Sequence, residues 1–368
     1  MTMMEETTPI PAAPRPPLPA VRLRTAAALA LGALLLAVAG DPISTATGPD
    51  PTDSGSLWPG SLWPGPAGST PDRIATAGGD ADGSLQVGSA DRLHRLFDRL
   101  GYDLDAVADG AAAVPPVELA ALPADLGELE PVDRRKAVFI RAVLPIVIRA
   151  NDAVLAERAG LEAVLVAVES GRPVPPGARG RIRRLAERYG LAGLAPDSQG
   201  IRRLLRRVDG VPVSLAVAQA ISESGWGTSR FARAGNALFG QWTWTAGAGI
   251  VPPARSSGAS HRVRAFRTLG DSARAYLLNL NTHPAYAGLR AARAAARRDA
   301  GRLPGGVDLA GHLTRYSERG EDYVRDIVTL IRQNRLSRLD RATLADPVRL
   351  AGRDDGQDDG QDDGREDG

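Results

Sequence analysis

The chain has no cysteine and few aromatic residues. The missing thiol excludes disulfide bridges, cysteine nucleophiles, cysteine-ligated zinc and a lipid anchor on cysteine. Tryptophan, phenylalanine and tyrosine together make up only 4% of the 368 residues. Stability must therefore come mainly from the packing of aliphatic side chains.

Several motifs that would indicate common enzyme classes are also missing. No G-x-S-x-G sequence and no glycine-rich phosphate loop occurs, which argues against a serine hydrolase or a nucleotide enzyme. His261, His283 and His312 lie too far apart along the chain to indicate a metal site. We predict no cofactor and no metal, and we expect His283 to make a structural hydrogen bond before a helix.

The charge is unevenly distributed. The formal net charge is +2, but residues 353–368 carry eight acidic groups against two arginines. The rest of the chain is basic and would suit an anionic polymer, although arginine-rich composition alone is weak support. We predict a solvated, acidic, disordered tail over residues 338–368, and we predict no nucleic-acid partner.

The N-terminal region is typical of a targeting segment. Arg22 and Arg24 precede a 15-residue apolar run from Thr25 to Ala39. As a helix this run would be roughly 22 Å long, short of the ~30 Å hydrocarbon core of a bilayer. We predict a signal peptide over residues 1–40, with an uncleaved membrane anchor as the alternative, and an exported, periplasmic protein in either case. The Gly/Pro/Ser-rich residues 41–88, with the repeat "SLWPG", are predicted to be a disordered linker.

The remaining chain predicts a mainly α-helical body. Apolar residues recur at helical spacing over residues 131–170, where we expect two helices broken near Asn151. Residues 89–205 are predicted to be a helical scaffold and residues 206–337 a separate domain. Alternating segments over residues 241–267 predict a small β-hairpin lobe inside that domain.

One helix of the second domain ends at a glutamate. Pro212 can open this helix and Gly225 can stop it, which places Glu223 in its last turn with Gln219 on the same face. Negative charge is unfavourable at a helix C-terminus, and partial burial disfavours it further. Both effects raise the pKa of the Glu223 carboxyl, so that it can act as a general acid.

The segment "QAISESGWGTSRFARAGNALFGQW" resembles the glucosaminidase family of peptidoglycan hydrolases, in its Bax-type branch. The family's E-S-x-x-G-x-S and N-L-F-G elements match Glu223 to Ser229 and Asn236 to Gly240, with Ala237 inserted. The resemblance implies a lysozyme-like fold, peptidoglycan strands as the partner and Glu223 as the proton donor. It also implies Tyr316 as a second active-site group, but "SERGEDY" departs from the family pattern after that tyrosine.

A second carboxylate is missing where a glycoside hydrolase would often have one. The sequence contains no Asp or Glu between Glu223 and Asp271, so the β-lobe supplies no base. Three routes remain: attack by the substrate's own N-acetyl group, which we favour; a carboxylate from Glu318, Glu321 or Asp322; or attack by a muramic acid hydroxyl, as in lytic transglycosylases. A wall-binding module without turnover is the alternative from another class.

Aromatic rings near Glu223 could contact sugar rings. Trp226, Trp242 and Trp244 offer flat apolar faces, although they could equally form the core of the lobe. Arg262 and Arg264 alternate with Val263 and could line a groove or face solvent. Together with the residues carried by the resemblance, these give the predicted substrate-binding set: Gln219, Ser224, Trp226, Ser229, Asn236, Phe239, Trp242, Trp244 and Tyr323. The sequence does not indicate an oligomeric state.

Overall fold

The computed structural model describes residues 84–243, 248–251 and 262–346 and is mainly α-helical within them, as predicted. Eleven α-helices of very unequal length form most of this part of the chain. They are α1 (Ala90–Arg99), α2 (Leu104–Ala108), α3 (Val132–Glu169), α4 (Pro176–Arg188), α5 (Ser198–Leu205), α6 (Val213–Ser224), α7 (Arg230–Gly235), α8 (Leu269–Thr282), α9 (Ala287–Ala300), α10 (Gly306–Ala310) and α11 (Glu321–Gln333). Four 3-10 helices occupy Leu126–Glu128, Pro284–Tyr286, Gly311–Leu313 and Leu336–Arg341.

The predicted small β-lobe is also present. It is a three-stranded antiparallel sheet in the order β1-β3-β2, with β1 at Trp242–Thr243, β2 at Gly249–Ile250 and β3 at Arg262–Arg264. Val263 of the central strand is buried, whereas the arginines on either side of it are half-buried. The alternation of Arg262, Val263 and Arg264 in the sequence thus corresponds to the two faces of β3, with Val263 on the buried face.

The predicted break near Asn151 is wrong, because α3 runs without interruption for 38 residues. Asn151 is buried inside this helix and its side chain bonds another segment. Its Oδ1 accepts from the Val211 N–H at 2.8 Å, and its Nδ2 donates to the Val211 carbonyl at 2.8 Å. The asparagine therefore satisfies the backbone just before α6 and does not end its own helix.

Helices from both predicted regions share one hydrophobic core. The long helix α3 contacts α1, α5, α6 and α8, so it lies against elements on both sides of residue 205. The α6 helix is buried on all faces from Val213 to Ile221. A helix that is buried on all faces has to be surrounded by other elements, and α3 is one of them.

A buried charge cluster joins the two regions as well. The Asp209 side chain is 3% exposed and lies just before α6. It pairs with Arg297 of α9 at 2.7 Å, with Arg158 of α3 at 3.3 Å and with Arg293 of α9 at 3.6 Å. The Arg293 guanidinium also donates to the Gly210 carbonyl at 2.8 Å. One carboxylate thus connects α3, α9 and the start of α6.

The described chain extends past both predicted boundaries of disorder. The Leu85 N–H, inside the predicted linker, donates to the Glu118 carbonyl at 2.7 Å. Inside the predicted tail, Leu339 is buried and the Asp340 carboxylate accepts from the backbone and hydroxyl of Ser214. The predicted signal segment, most of the linker and residues 347–368 lie outside the described residues. No helix among the described residues is long and apolar enough to cross a membrane.

Candidate active site

The turn after α6 places Glu223. Gly225 adopts the left-handed conformation, with φ 57°, and ends the helix as predicted. The buried Ser224 hydroxyl donates to the Ala220 carbonyl at 2.5 Å and accepts from the Gly227 N–H at 2.9 Å. Ser224 therefore fixes the turn that holds Glu223 at the helix end.

Two other polar residues of the predicted binding set also bond the local backbone. The Ser229 hydroxyl caps α7 by accepting from the Ala232 N–H at 3.1 Å. Asn236 is left-handed, with φ 52°, and its Nδ2 donates to the carbonyls of Phe266 and Arg267. These contacts shape the loop that follows Glu223, and a contact of either residue with substrate stays a prediction.

The Phe239-Gly240 backbone lies directly against the acid. Gly240 has φ 61°, and a Cβ added there would be 2.6 Å from Oε2 of Glu223. Phe239 is buried and its ring stacks on Tyr276 with 4.1 Å between the ring centres. The glycine of the L-F-G element is thus required by the close approach of the Glu223 carboxyl.

Tyrosines surround the carboxyl. The rings of Tyr316 and Tyr323 are stacked with 5.6 Å between their centres, and the Tyr316 hydroxyl donates to the Phe239 carbonyl at 2.9 Å. Tyr286 lies 5.9 Å from Tyr316, ring centre to ring centre. Burial raises the pKa of Tyr276, Tyr286, Tyr316 and Tyr323, and the negative charge of Glu223 raises it further. Four of the six tyrosines in the chain therefore lie near this acid.

Gln219 connects two of these tyrosines. Its side chain is fully buried one helical turn before Glu223. The Tyr276 hydroxyl donates to Oε1 of Gln219 at 2.7 Å, and Nε2 of Gln219 donates to the Tyr323 hydroxyl at 2.9 Å. The Tyr323 hydroxyl is in turn the hydrogen-bond partner that lowers the pKa of the Glu223 carboxyl. A chain of hydrogen bonds thus runs from the buried Tyr276 to the acid.

Burial raises the pKa of Glu223 from its usual 4.5 to about 7. The hydrogen bond from Tyr323 and the positive charge of Arg319 act in the opposite direction and hold the pKa lower than burial alone would. A group with a pKa near neutrality can give up a proton and recover it at physiological pH. The electrostatics therefore suit a general acid.

The described residues place no second carboxylate beside Glu223. Glu318, Glu321 and Asp322 are exposed, and Asp322 pairs with Arg325. Among the described residues the charged group that shifts the pKa of Glu223 is Arg319, which is a cation. The geometry thus brings together one acid and several hydroxyl groups.

The predicted sugar-binding tryptophans lie in different surroundings. Trp226 is half-buried, and its ring packs against Phe139 of α3 with Lys136 above it at 5.6 Å. Trp242 is 37% exposed on β1. Trp244 and His261 lie outside the described residues. The Nδ1 of His283 accepts from the Ala285 N–H at 3.2 Å, which confirms its predicted structural hydrogen bond before a helix.

Sequence reasoning missed four residues near the acid: Tyr276, Tyr286, Gly240 as a contact of the carboxyl, and Arg319. The positions of the tyrosines in the sequence could have indicated this cluster, because four of the six tyrosines in the chain fall within residues 276–323. Nothing in the local pattern indicates that Tyr276 turns inward from α8 towards Gln219. That contact depends on how α8 packs against α6.

A carboxyl whose pKa burial raises to about 7, held at the end of a buried helix, has the properties that a general acid needs. Residues 200–336 match the family model for mannosyl-glycoprotein endo-beta-N-acetylglucosaminidase. The chain is also 33% identical over 202 residues to Protein bax of Escherichia coli strain K12. This match covers 54% of the chain and 70% of that protein. No solved structure shows a significant match.

The chain belongs to the glucosaminidase family and is a Bax-type member of it, as the sequence resemblance indicated. Membership in this family supports a glycosidase activity on a glycan related to peptidoglycan. The family match begins at residue 200, shortly before Asp209 and α6, and ends within the 3-10 helix at Leu336–Arg341. It therefore includes the acid and the tyrosines around it, but not α3.

Proposed function

We propose that this protein is an exported, periplasmic endo-β-N-acetylglucosaminidase that hydrolyses the β-1,4 bond after N-acetylglucosamine in peptidoglycan. The observation that carries the proposal is the Glu223 carboxyl, with its pKa raised by burial to about 7, inside the matched family region. Its neutral form can hold a proton next to a substrate oxygen at physiological pH.

In this mechanism Glu223 protonates the leaving oxygen while the bond from that oxygen to the anomeric carbon breaks. The carbonyl oxygen of the substrate's own N-acetyl group forms the new bond to the anomeric carbon. Water then opens the resulting ring and returns a proton to Glu223. Glycosidases that use substrate assistance need no carboxylate nucleophile, which fits the absence of a second carboxylate beside Glu223 among the described residues.

Tyr316 is proposed to orient the N-acetyl group. The Tyr316 hydroxyl donates its proton to the Phe239 carbonyl oxygen at 2.9 Å, and its own oxygen still has a lone pair that can accept a hydrogen bond. The N–H of the acetamido group is a suitable donor. Accepting this bond would turn the acetamido carbonyl towards the anomeric carbon and would help the amide to act as a nucleophile.

The test is digestion of purified wall sacculi by the protein lacking residues 1–40. Reduced N-acetylglucosamine ends, identified by borohydride reduction and mass spectrometry, are expected as products. The Glu223→Gln variant should lose at least ~10²-fold in rate because it has no proton to donate. Glu187→Gln, on the exposed face of α4, is the matched control and should retain full activity.

Other outcomes would change the reaction class. Anhydro-muramyl ends would indicate a lytic transglycosylase with the same acid. A loss of activity in Glu321→Gln or Asp322→Asn would favour the exposed carboxylates over substrate assistance. Wall binding without release by either the parent protein or Glu223→Gln would overturn the enzyme proposal in favour of a binding module.

A further inference from the structure

With its amide oriented as in the structure, the hydrogen bonds around Gln219 run in one direction. A tyrosine hydroxyl has a single proton, and an amide side chain donates only through its nitrogen. Tyr276 gives its proton to Oε1 of Gln219, and Nε2 of Gln219 gives one to the Tyr323 oxygen. The Tyr323 proton is not needed by Gln219 and is left for the Glu223 carboxylate.

We propose that Gln219 is a positioning residue, which is anchored by Tyr276 and makes the Tyr323 hydroxyl donate to Glu223. This inference rests on the proposed function in one respect, namely that Glu223 is the acid. It assigns Gln219 a role different from the substrate contact expected from the sequence. Its side chain is fully buried and both ends of the amide are engaged by tyrosines, so little of it is left for a sugar.

The anchoring of the amide is built into three elements. Gln219 belongs to α6, Tyr276 to α8 and Tyr323 to α11. Tyr276 is itself held by its stack on Phe239. If the Tyr276 hydroxyl were removed, the amide could rotate and present Oε1 to Tyr323. The Tyr323 proton would then be drawn away from the acid.

The expected consequence is a change in the acidity of Glu223. A hydrogen bond donated to a carboxylate stabilises the ionised form, so losing it raises the pKa. Other groups also act on this carboxyl and would remain in the variants. They are Arg319 before α11, Tyr316, Tyr286 of the 3-10 helix and the backbone of Gly240.

The test is a carbon-13 NMR titration of the full chain labelled at the glutamate carboxyl carbons. The Glu223 signal is the one that Glu223→Gln removes. Tyr323→Phe should raise its pKa by about one unit, because a hydrogen bond to a charged group is lost. Gln219→Leu and Tyr276→Phe should raise it by a smaller amount. Tyr276→Phe keeps the aromatic stack on Phe239. It therefore tests the same hydrogen-bond chain if Gln219→Leu does not fold.

A double variant separates positioning from a general effect on packing. If Gln219 acts through Tyr323, the variant with both Gln219→Leu and Tyr323→Phe should have the same Glu223 pKa as Tyr323→Phe alone. An unchanged pKa in both Gln219→Leu and Tyr276→Phe, or additive shifts in the double variant, would overturn the proposal. The titration needs no substrate, so its result is independent of whether the sacculus digestion succeeds.

Discussion

At the residue scale, the raised pKa of Glu223 predicts the pH dependence of activity. A general acid works only while protonated, and burial raises this pKa to about 7. Activity should therefore be kept below pH 7 and should fall about tenfold for each pH unit well above it. The measurement is kcat/KM on soluble wall fragments between pH 5 and 9. A profile that stays flat to pH 9 would contradict Glu223 as the acid.

The same shift predicts a cost in stability. Between the usual pKa of 4.5 and about 7, the folded protein keeps a proton that the unfolded chain releases. The free energy of unfolding therefore falls as the pH rises through this window, and the full cost is present above it. Glu223→Gln should be more stable than the parent by about 1 to 3 kcal/mol at pH 8.5 and equal to it near pH 4. Urea unfolding at both pH values tests this difference.

Gly240 gives a third residue-scale prediction, which has a matched control. Gly240→Ala should lower kcat about tenfold or more, because the added Cβ would be 2.6 Å from Oε2 of Glu223 and would displace it. Gly301 has a similar φ of 65° at the end of α9, with nothing near the position of a Cβ. Gly301→Ala should thus have the same backbone strain but near-normal kcat. If both variants lost kcat equally, backbone strain alone would explain the effect of Gly240→Ala.

The acid could be predicted from the sequence, but most of its surroundings could not. Pro212, Gly225 and the helical spacing between them place Glu223 at a helix end without any tertiary knowledge. The bond from Tyr276 to Gln219 joins residues 57 positions apart. Local patterns have no information about such a contact. The E-S-x-x-G-x-S motif likewise does not reveal that Ser224 bonds the local backbone.

At the scale of elements, α3 shows why the predicted helix break failed. Asparagine has a low helix propensity because its side chain competes for backbone hydrogen bonds. In α3 the Asn151 side chain instead bonds both polar groups of Val211, 60 residues away. The gain from satisfying buried backbone groups exceeds the propensity cost of under ~1 kcal/mol.

This contact predicts the effect of Asn151→Ala. The change would leave the N–H and the carbonyl of Val211 buried without these partners, at a cost of about 2 to 4 kcal/mol. The exposed neighbour Asp152 is the control, and Asp152→Ala should change stability by less than ~0.5 kcal/mol. Chemical unfolding of both variants is the measurement. Similar stabilities would show that other groups or water can replace the amide.

At the scale of the whole molecule, the region matched by the family model does not contain its own complete core. The buried faces of α6 and α8 contact α3, which lies before residue 200. Asp209 also draws one of its three arginine partners, Arg158, from α3. Removing α3 would expose apolar surface and would take away one of the positive charges around the buried Asp209 carboxylate. Both changes are unfavourable.

We therefore expect the fragment of residues 84–346 to fold and the fragment of residues 200–336 to fail. The longer fragment should show a cooperative thermal transition and a near-ultraviolet circular dichroism spectrum typical of fixed tertiary packing. The shorter one should lack both, because the helix α6, which is buried on all faces from Val213 to Ile221, would be uncovered on the side that α3 contacts. A folded, active short fragment would instead support the predicted separate domain of residues 206–337 and would leave α3 a dispensable addition.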